Sequence, residues 1–311
     1  MKITIIGLSR VATSLALALK AANDAIEITG YDADLAHAGQ VKKLGAIDRS
    51  HWNLPAACEK GGLVLIDVPF ADLPRMLEVV SESAPPEAVV IDLLPVKRPV
   101  LAQVTASLAH PERYVGGHLL CSAHASGEAP SAADVREAPF YLVTAPETSA
   151  AALDVATNLA VAVGAVPRYV DAQEHDGLVA ATCQLPAILA GAAIATLDAE
   201  GGRQDRGAAL ERTVSGLVAA LGQDPDAQAF VDNGENLLYW IDRYVVELGR
   251  LRDIIADSDP SALAELLRAM TAIASRWSGR DAGSTPTPME QGDGGLRSLL
   301  LGGLGRRRSA R

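Results

Sequence analysis

The hydrophobic pattern changes character near Val170. Before it, short unbroken apolar runs alternate with stretches of helical period. KITII, IEITGYD, GLVLIDVP and AVVIDLL read as strands, and their continuous rather than alternating apolar character means that both faces of the sheet are covered by helices. Helices are expected directly after the first strand and near 33–44, 71–83 and 100–109, with YVGGH, FYLVT and PRYV as later, shorter strands. This alternation predicts an α/β fold: a doubly wound, mostly parallel sheet of Rossmann type, which takes its ligands at the carboxyl ends of the strands.

Beyond Val170 only helices are expected. The stretch 175–199 is nearly free of charge until Asp198 and reads as a buried helix kinked by Pro186. In 236–256 the apolar positions Leu237, Ile241, Tyr244, Leu248, Leu251 and Ile255 alternate spacings of four and three, a heptad seam that needs a partner helix. Leu263, Leu267, Met270, Ala274 and Trp277 repeat the pattern in 261–277. An intramolecular bundle would satisfy these seams. A homodimer through the C-terminal helices is the preferred expectation, because so small a helical region has few other surfaces for so much leucine. Residues 278–295 are rich in Gly, Ser, Pro, Thr and Asp, a composition expected to be disordered, and the final LRSLLLGGLGRRRSAR reads as a frayed terminus, with a membrane surface or partner as the alternative. The expected organisation is therefore 1–170, a Rossmann domain; 171–277, a helical substrate and dimerisation domain; and 278–311, a disordered tail.

Composition narrows the class. The 311 residues are 49% hydrophobic but 4% aromatic, so the core is aliphatic. A net charge of −11 argues against nucleic acid as the main partner. Cys58, Cys121 and Cys183 are widely spaced and odd in number, which fits neither a metal motif nor a disulfide framework. The start enters a strand without a cleavage region, and no apolar run is long enough by this reading to span a membrane. A cytoplasmic protein is expected.

The turn after the first strand carries the candidate chemistry. A dinucleotide turn reads G-x-G-x-x-G; here it is Gly7-Leu8-Ser9-Arg10-Val11-Ala12. Gly7 keeps the tight turn, and Ala12 adds one methyl where helix and strand pack closely. Ser9 is the departure, since its side chain points where phosphate oxygens should lie. It is able to donate a hydrogen bond there, Arg10 adds positive charge, and the helix N-terminus attracts anions. Asp32, ending the second strand, is placed to accept both ribose hydroxyls, which favours NAD over NADP. With Gly7, Ser9, Arg10, Val11, Ala12 and Asp32, the strand-end residues Val68 and Pro69 are expected to bind the cofactor. A Rossmann unit that only scaffolds is the bland alternative. Asp67, just before them, reads as a solvated helix cap; beside a pyrophosphate it would be repulsive.

The ordered set of a dinucleotide turn, Asp92-x-x-x-Val96-Lys97, Gly116-Gly117-His118, Glu174-His175-Asp176 and a helical dimer region resembles the prephenate dehydrogenase family, from Met1 to about Trp277. The resemblance implies NAD-dependent oxidation of a cyclohexadiene bearing a hydroxyl and two carboxylates. Hydride leaves the hydroxyl-bearing carbon, the ring carboxylate departs as carbon dioxide, and aromatisation drives the reaction. It implies that His118 is the catalytic base, a role that suits a neutral imidazole. Several family positions are altered. His124 stands where an acid is common and Ser122 where a glycine is, while Ser126-Gly127 match. The serine that helps hold the substrate hydroxyl is Pro95, which has neither hydroxyl nor N–H. Two histidines of a later helix are Gln184 and Ala187, preceded by Cys183. A carboxylate-binding arginine aligns with Ala219, ahead of Gln223-Asp224-Pro225, leaving Arg203 or Arg212 as substitutes. These changes motivate two alternatives: a related dehydrogenase with another substrate, or a catalytically degenerate homolog acting as a cofactor-binding or regulatory dimer.

Overall fold

The computed structural model describes residues 1–121, 129–199, 215–221 and 226–277. The expectations for Ser122, His124, Ser126, Gly127, Arg203, Arg212, residues 223–225 and the tail 278–311 lie outside them. The described residues form two compact units, Met1–Leu237 and, from Leu238, residues 238–277.

In the first unit, β1 (Lys2–Ile6), β2 (Glu27–Tyr31), β3 (Arg49–Ser50), β4 (Leu63–Ile66), β5 (Val89–Asp92), β6 (Tyr114–Leu119), β7 (Pro139–Val143) and β8 (Val166–Tyr169) form one sheet. Its order is β3-β2-β1-β4-β5-β6-β7-β8. Every neighbouring pair is parallel except β6 with β7. The connecting helices are α1 (Arg10–Ala22), α2 (Leu35–Lys43), α3 (Leu54–Cys58), α4 (Leu73–Ser83), α5 (Arg98–Ser107) and α6 (Ala150–Ala162). The unbroken apolar runs are explained residue by residue. In β4, Leu63 and Leu65 enter one core while Val64 and Ile66 enter the other. Both faces of β4 are dry, so alternation with polar residues would place a polar group in a core; β2 differs, burying only alternate residues.

Strand order reverses direction between β1 and β4, the switch point at which doubly wound sheets bind ligands. Gly7, Asp32, Asp67, Asp92 and His118 all stand at the carboxyl ends of parallel strands. The α/β architecture is therefore as expected. His118 lies within β6 and faces Tyr141 of β7 across the antiparallel pair.

The apolar stretch after Val170 forms α7 (Ala172–Val179), a π-turn (Ala180–Gln184) and α8 (Leu185–Ala199). The break is placed immediately before Pro186, whose missing N–H and ring disrupt the regular ladder. Two expectations are corrected here. The helix is not buried throughout, because Ile188 and Leu197 are exposed. Also, helical continuity through the π-turn makes Ala172–Asp198 long and apolar enough to cross a membrane by length and composition, with a mean hydropathy of 1.9. The first turns of this run are fixed to the sheet unit through His175 and Asp176, both buried. A short helix α9 (215–221) and α10 (Ala227–Asp232) follow.

Helix α11 (Gly234–Ala256) begins at the end of the first unit, and the second contains the rest of it and α12 (Pro260–Trp277). Along the α11 seam Leu237 is buried, whereas Tyr244, Leu248 and Ile255 are exposed.

Candidate active site

Gly7 starts the site. It has φ +84°, and a Cβ there would lie 1.8 Å from the Asp67 carbonyl oxygen. Both left-handed backbone and close approach demand glycine. Gly7→Ala is expected to destabilise the protein by several kcal/mol, on the order of the large values seen for strain at special backbone positions. A denaturant titration with an unshifted midpoint would contradict this.

Asp32 accepts from the Leu8 N–H at 3.0 Å and the Asp34 N–H at 2.8 Å. The two bonds fix its carboxylate beside the turn, the place from which an acid reads ribose hydroxyls. Ser9 caps α1 by accepting from the Ala12 N–H at 3.2 Å. Arg10 is turned away from the turn, pairing with Asp134 at 3.1 Å and donating to the Ala129 carbonyl at 3.3 Å. Val11 packs partly buried against the core, Ala12 is fully buried beneath the helix, and Val68 is half-buried beside Gly7. Pro69 is exposed at the start of a 3-10 turn.

Asp67 overturns its expected role. It caps no helix: Pro69 and Asp72 occupy the cap positions of the next two helical segments. Its carboxylate instead reaches back to the N-terminus of the first helix, accepting from the Ser9 hydroxyl. Burial drives its pKa up to about 6 against this hydrogen bond. The chain direction at the end of β4 brings the side chain over the turn, a placement that the local sequence could not reveal.

The second cluster is built around His118. Its Nδ1 lies 3.0 Å from Nε2 of His175, and Nδ1 of His175 lies 3.1 Å from Oδ1 of Asp176. Asp176 is held by the backbone N–H groups of Lys97 at 2.7 Å and Arg98 at 2.9 Å. The proton positions follow from the chemistry. A carboxylate only accepts, so His175 donates through Nδ1 and accepts through Nε2. His118 then donates through Nδ1 and keeps its lone pair on Nε2. Burial, together with His175 and Lys97, holds the His118 pKa well below 6.5, and burial lowers that of His175 as well. A neutral imidazole with a fixed tautomer is a competent base at neutral pH.

Beneath it, Asp92 accepts from the Lys97 ammonium and the Tyr114 hydroxyl. All three are buried. Gly116 and Gly117 let β6 approach this cluster: a Cβ on Gly116 would lie 3.1 Å from the Lys97 side chain, and one on Gly117 would lie 2.7 Å from the Asp92 carbonyl oxygen.

Gln184 is structural. It donates to the Ala229 carbonyl at 2.9 Å and accepts from Asn233 at 2.8 Å, locking the π-turn to α10. Ala187 is buried, while Ala219 lies exposed on α9, away from any role as a cation. Burial of Cys121 pushes its thiol to about 11, so it is not a nucleophile. Among the described residues, no group of three His, Cys, Asp or Glu side chains is arranged to hold a metal.

Two functional residues escaped sequence reasoning in their roles. His175 was visible only as part of a motif, and its pairing with His118 spans 57 positions. Asp67 was visible as an acid ending an otherwise apolar strand, but its contact with the Ser9 hydroxyl was not.

Comparison with known proteins bears on the family and the fold. A family model described as "Prephenate dehydrogenase, nucleotide-binding domain" matches residues 15–169. Prephenate dehydrogenase of Bacillus subtilis (strain 168) is 29% identical over 194 residues, covering 61% of this chain and 52% of that protein. The counterpart in Lactococcus lactis subsp. cremoris (strain MG1363) is 25% identical over 191 residues, with the same shares of both chains. The match thus spans about half the length of these curated relatives. In fold, the chain is similar to the prephenate dehydrogenase of A. aeolicus solved with hydroxyphenyl propionate and NAD+, at a TM-score of 0.74 and 20% identity, over 89% of this chain and 98% of that one. Synechocystis arogenate dehydrogenase superposes at a TM-score of 0.67 and 18% identity, over 89% of this chain and 100% of that one. Through its nucleotide-binding domain, this chain belongs to the prephenate dehydrogenase family.

Proposed function

We propose that the protein is an NAD-dependent dehydrogenase of prephenate or a close analogue, acting in tyrosine biosynthesis in the cytoplasm. The single observation that carries the reading is the His118–His175–Asp176 relay at the carboxyl edge of the sheet, on the same edge as Gly7 and Asp32. The residues of the turn fit a dinucleotide at its ribose end: Gly7 clears the backbone, and Asp32 is a fixed acceptor. An acid there repels the extra phosphate of NADP. When bound, NAD+ supplies the hydride acceptor. His118 Nε2 takes the hydroxyl proton as the hydride leaves the same carbon. His175 and Asp176 hold the ring tautomer and share the charge that develops, as a carboxylate does behind a catalytic histidine. The carbon–carbon bond to the ring carboxylate breaks, its electron pair enters the ring, and carbon dioxide departs.

Pro95 removes the hydroxyl that the family uses beside this histidine, and Ala219 brings no cation. A substrate with fewer carboxylates than prephenate is consistent with both. The degenerate-homolog reading is favoured by one specific feature, Asp67 lying over the turn. Titration with NADH separates them: binding, followed by absorbance growth at 340 nm (~10⁻³ M NAD+ with prephenate or its amino analogue), supports the dehydrogenase, and absence of binding refutes it. At saturating nucleotide, kcat/KM should be flat above pH 6.5 and fall only well below it, because His118 is neutral throughout that range. A bend near pH 7 would assign the base elsewhere.

For organisation, we take residues 1–170 as the nucleotide part and 171–277 as the substrate and dimerisation part. The exposed seam of α11 (Tyr244, Leu248 and Ile255) supports a homodimer. Light scattering should give twice the 32.4 kDa chain mass, and Leu248→Glu should move it towards the monomer.

A further inference from the structure

We infer that Asp67 is an internal competitor for the phosphate end of the nucleotide site, and that binding of a dinucleotide takes up a proton at its carboxyl group. The inference rests on the dinucleotide reading above. A phosphate at the start of α1 is held by the N-terminal N–H groups and by the hydroxyl at the second glycine position. In this chain the Ser9 hydroxyl is given to Asp67, and the Ala12 N–H is taken by the Ser9 oxygen at 3.2 Å. Arg10, the cation of the turn, pairs with Asp134 at 3.1 Å. An ionised Asp67 and a pyrophosphate would claim the same hydroxyl and repel each other.

The groups around Asp67 set the sign. From α1 come Ser9 and the Ala12 N–H, which favour the ionised form. Asp92 at the end of β5 opposes ionisation, and Lys97 at the start of α5 favours it. Cys121, after β6, is a neutral thiol up to about pH 11. Burial outweighs the rest, so the free protein loses this proton at about pH 6. At pH 8 the carboxylate is ionised and holds the hydroxyl; at pH 6 half of it is neutral and yields it. Burial holds His118 well below its ordinary value and lowers His175 as well, so both titrate on the acid side of the ordinary histidine range.

The test is NADH affinity, followed by its fluorescence in the full chain. If binding requires the protonated acid, Kd rises about 50-fold between pH 6 and pH 8, from the linkage of one proton to binding. Calorimetry in buffers of different ionisation enthalpy should show uptake of close to one proton at pH 8. Asp67→Asn should remove the pH dependence and bind more tightly than the wild type at pH 8. Ser9→Gly, which withdraws a donor from the ionised acid, should raise its pKa and move the affinity curve to higher pH. Two results overturn the inference alone: NADH affinity that is flat from pH 6 to 8 in the wild type, or Asp67→Asn binding no more tightly at pH 8. Failure of wild type and both variants to bind even at pH 6 overturns the dinucleotide reading, and this inference with it.

Discussion

Replacement of His118 by asparagine is expected to lower kcat by about 10²- to 10⁴-fold, the usual contribution of a positioned general base, while leaving NADH affinity within about two-fold. Asparagine is close in shape and retains a donor for His175, so the fold should persist. The lost function is the lone pair on Nε2. His175→Gln tests the next link. It keeps a side chain near His118 but cannot pass charge to Asp176, so kcat should fall by an intermediate factor and the acid limb of the rate profile should move. If turnover survives in His118→Asn, the base is misassigned, whatever the stability of the variant. If His175→Gln changes stability alone and leaves the pH profile in place, His175 is packing rather than part of the relay.

The sheet was legible because burial on both faces leaves a direct mark: each residue of β4 belongs to one of two cores, so each must be apolar. Gly7 was legible because its backbone conformation excludes other residues. Asp32 and His118 stood out as polar groups at strand ends. The relay was not legible, because nothing local in Glu174-His175-Asp176 indicates that this segment packs on β6. The same holds for Asp67. An acid before Pro69 has the composition of a cap, and only the juxtaposition of β4 with α1 shows which donors it meets. The burial of 175–199 was misjudged for a related reason. Hydrophobicity states that a face avoids water without stating what covers it, and Ile188 and Leu197 are exposed in the single chain. Gln184 and Ala187, seen first as lost histidines, are explained in part by packing: Gln184 ties the π-turn to Ala229 and Asn233.

The largest effect on stability is expected at the ion pair beneath His118. Lys97 and Asp92 are both fully buried, and burial lowers the Lys97 pKa even with Asp92 and Asp176 close by. Removing one partner of such a pair typically costs about 3–5 kcal/mol, because the other charge is left without its counterion in a dry site. For a unit of this size, that corresponds to a fall in Tm of roughly 10 °C. Lys97→Met should show the full loss, since Asp92 keeps the Tyr114 hydroxyl and the Leu94 N–H but no cation. Asp92→Asn should behave differently with pH. Lys97 then binds its proton more weakly in the folded chain than in the unfolded one, where its pKa is ordinary. The unfolded state holds more protons, so the stability contributed by this site rises with pH towards 10.5. Lys97 is lowered in the wild type too, and loss of Asp92 lowers it further, so the deficit of Asp92→Asn relative to the wild type should be smaller at high pH than at low pH. The double variant should be less destabilised than the two single losses added together, because no unpaired charge remains. Additive losses in that cycle would mean that the two side chains act independently, and the buried pair would then have no part in holding the floor of the site beneath His118.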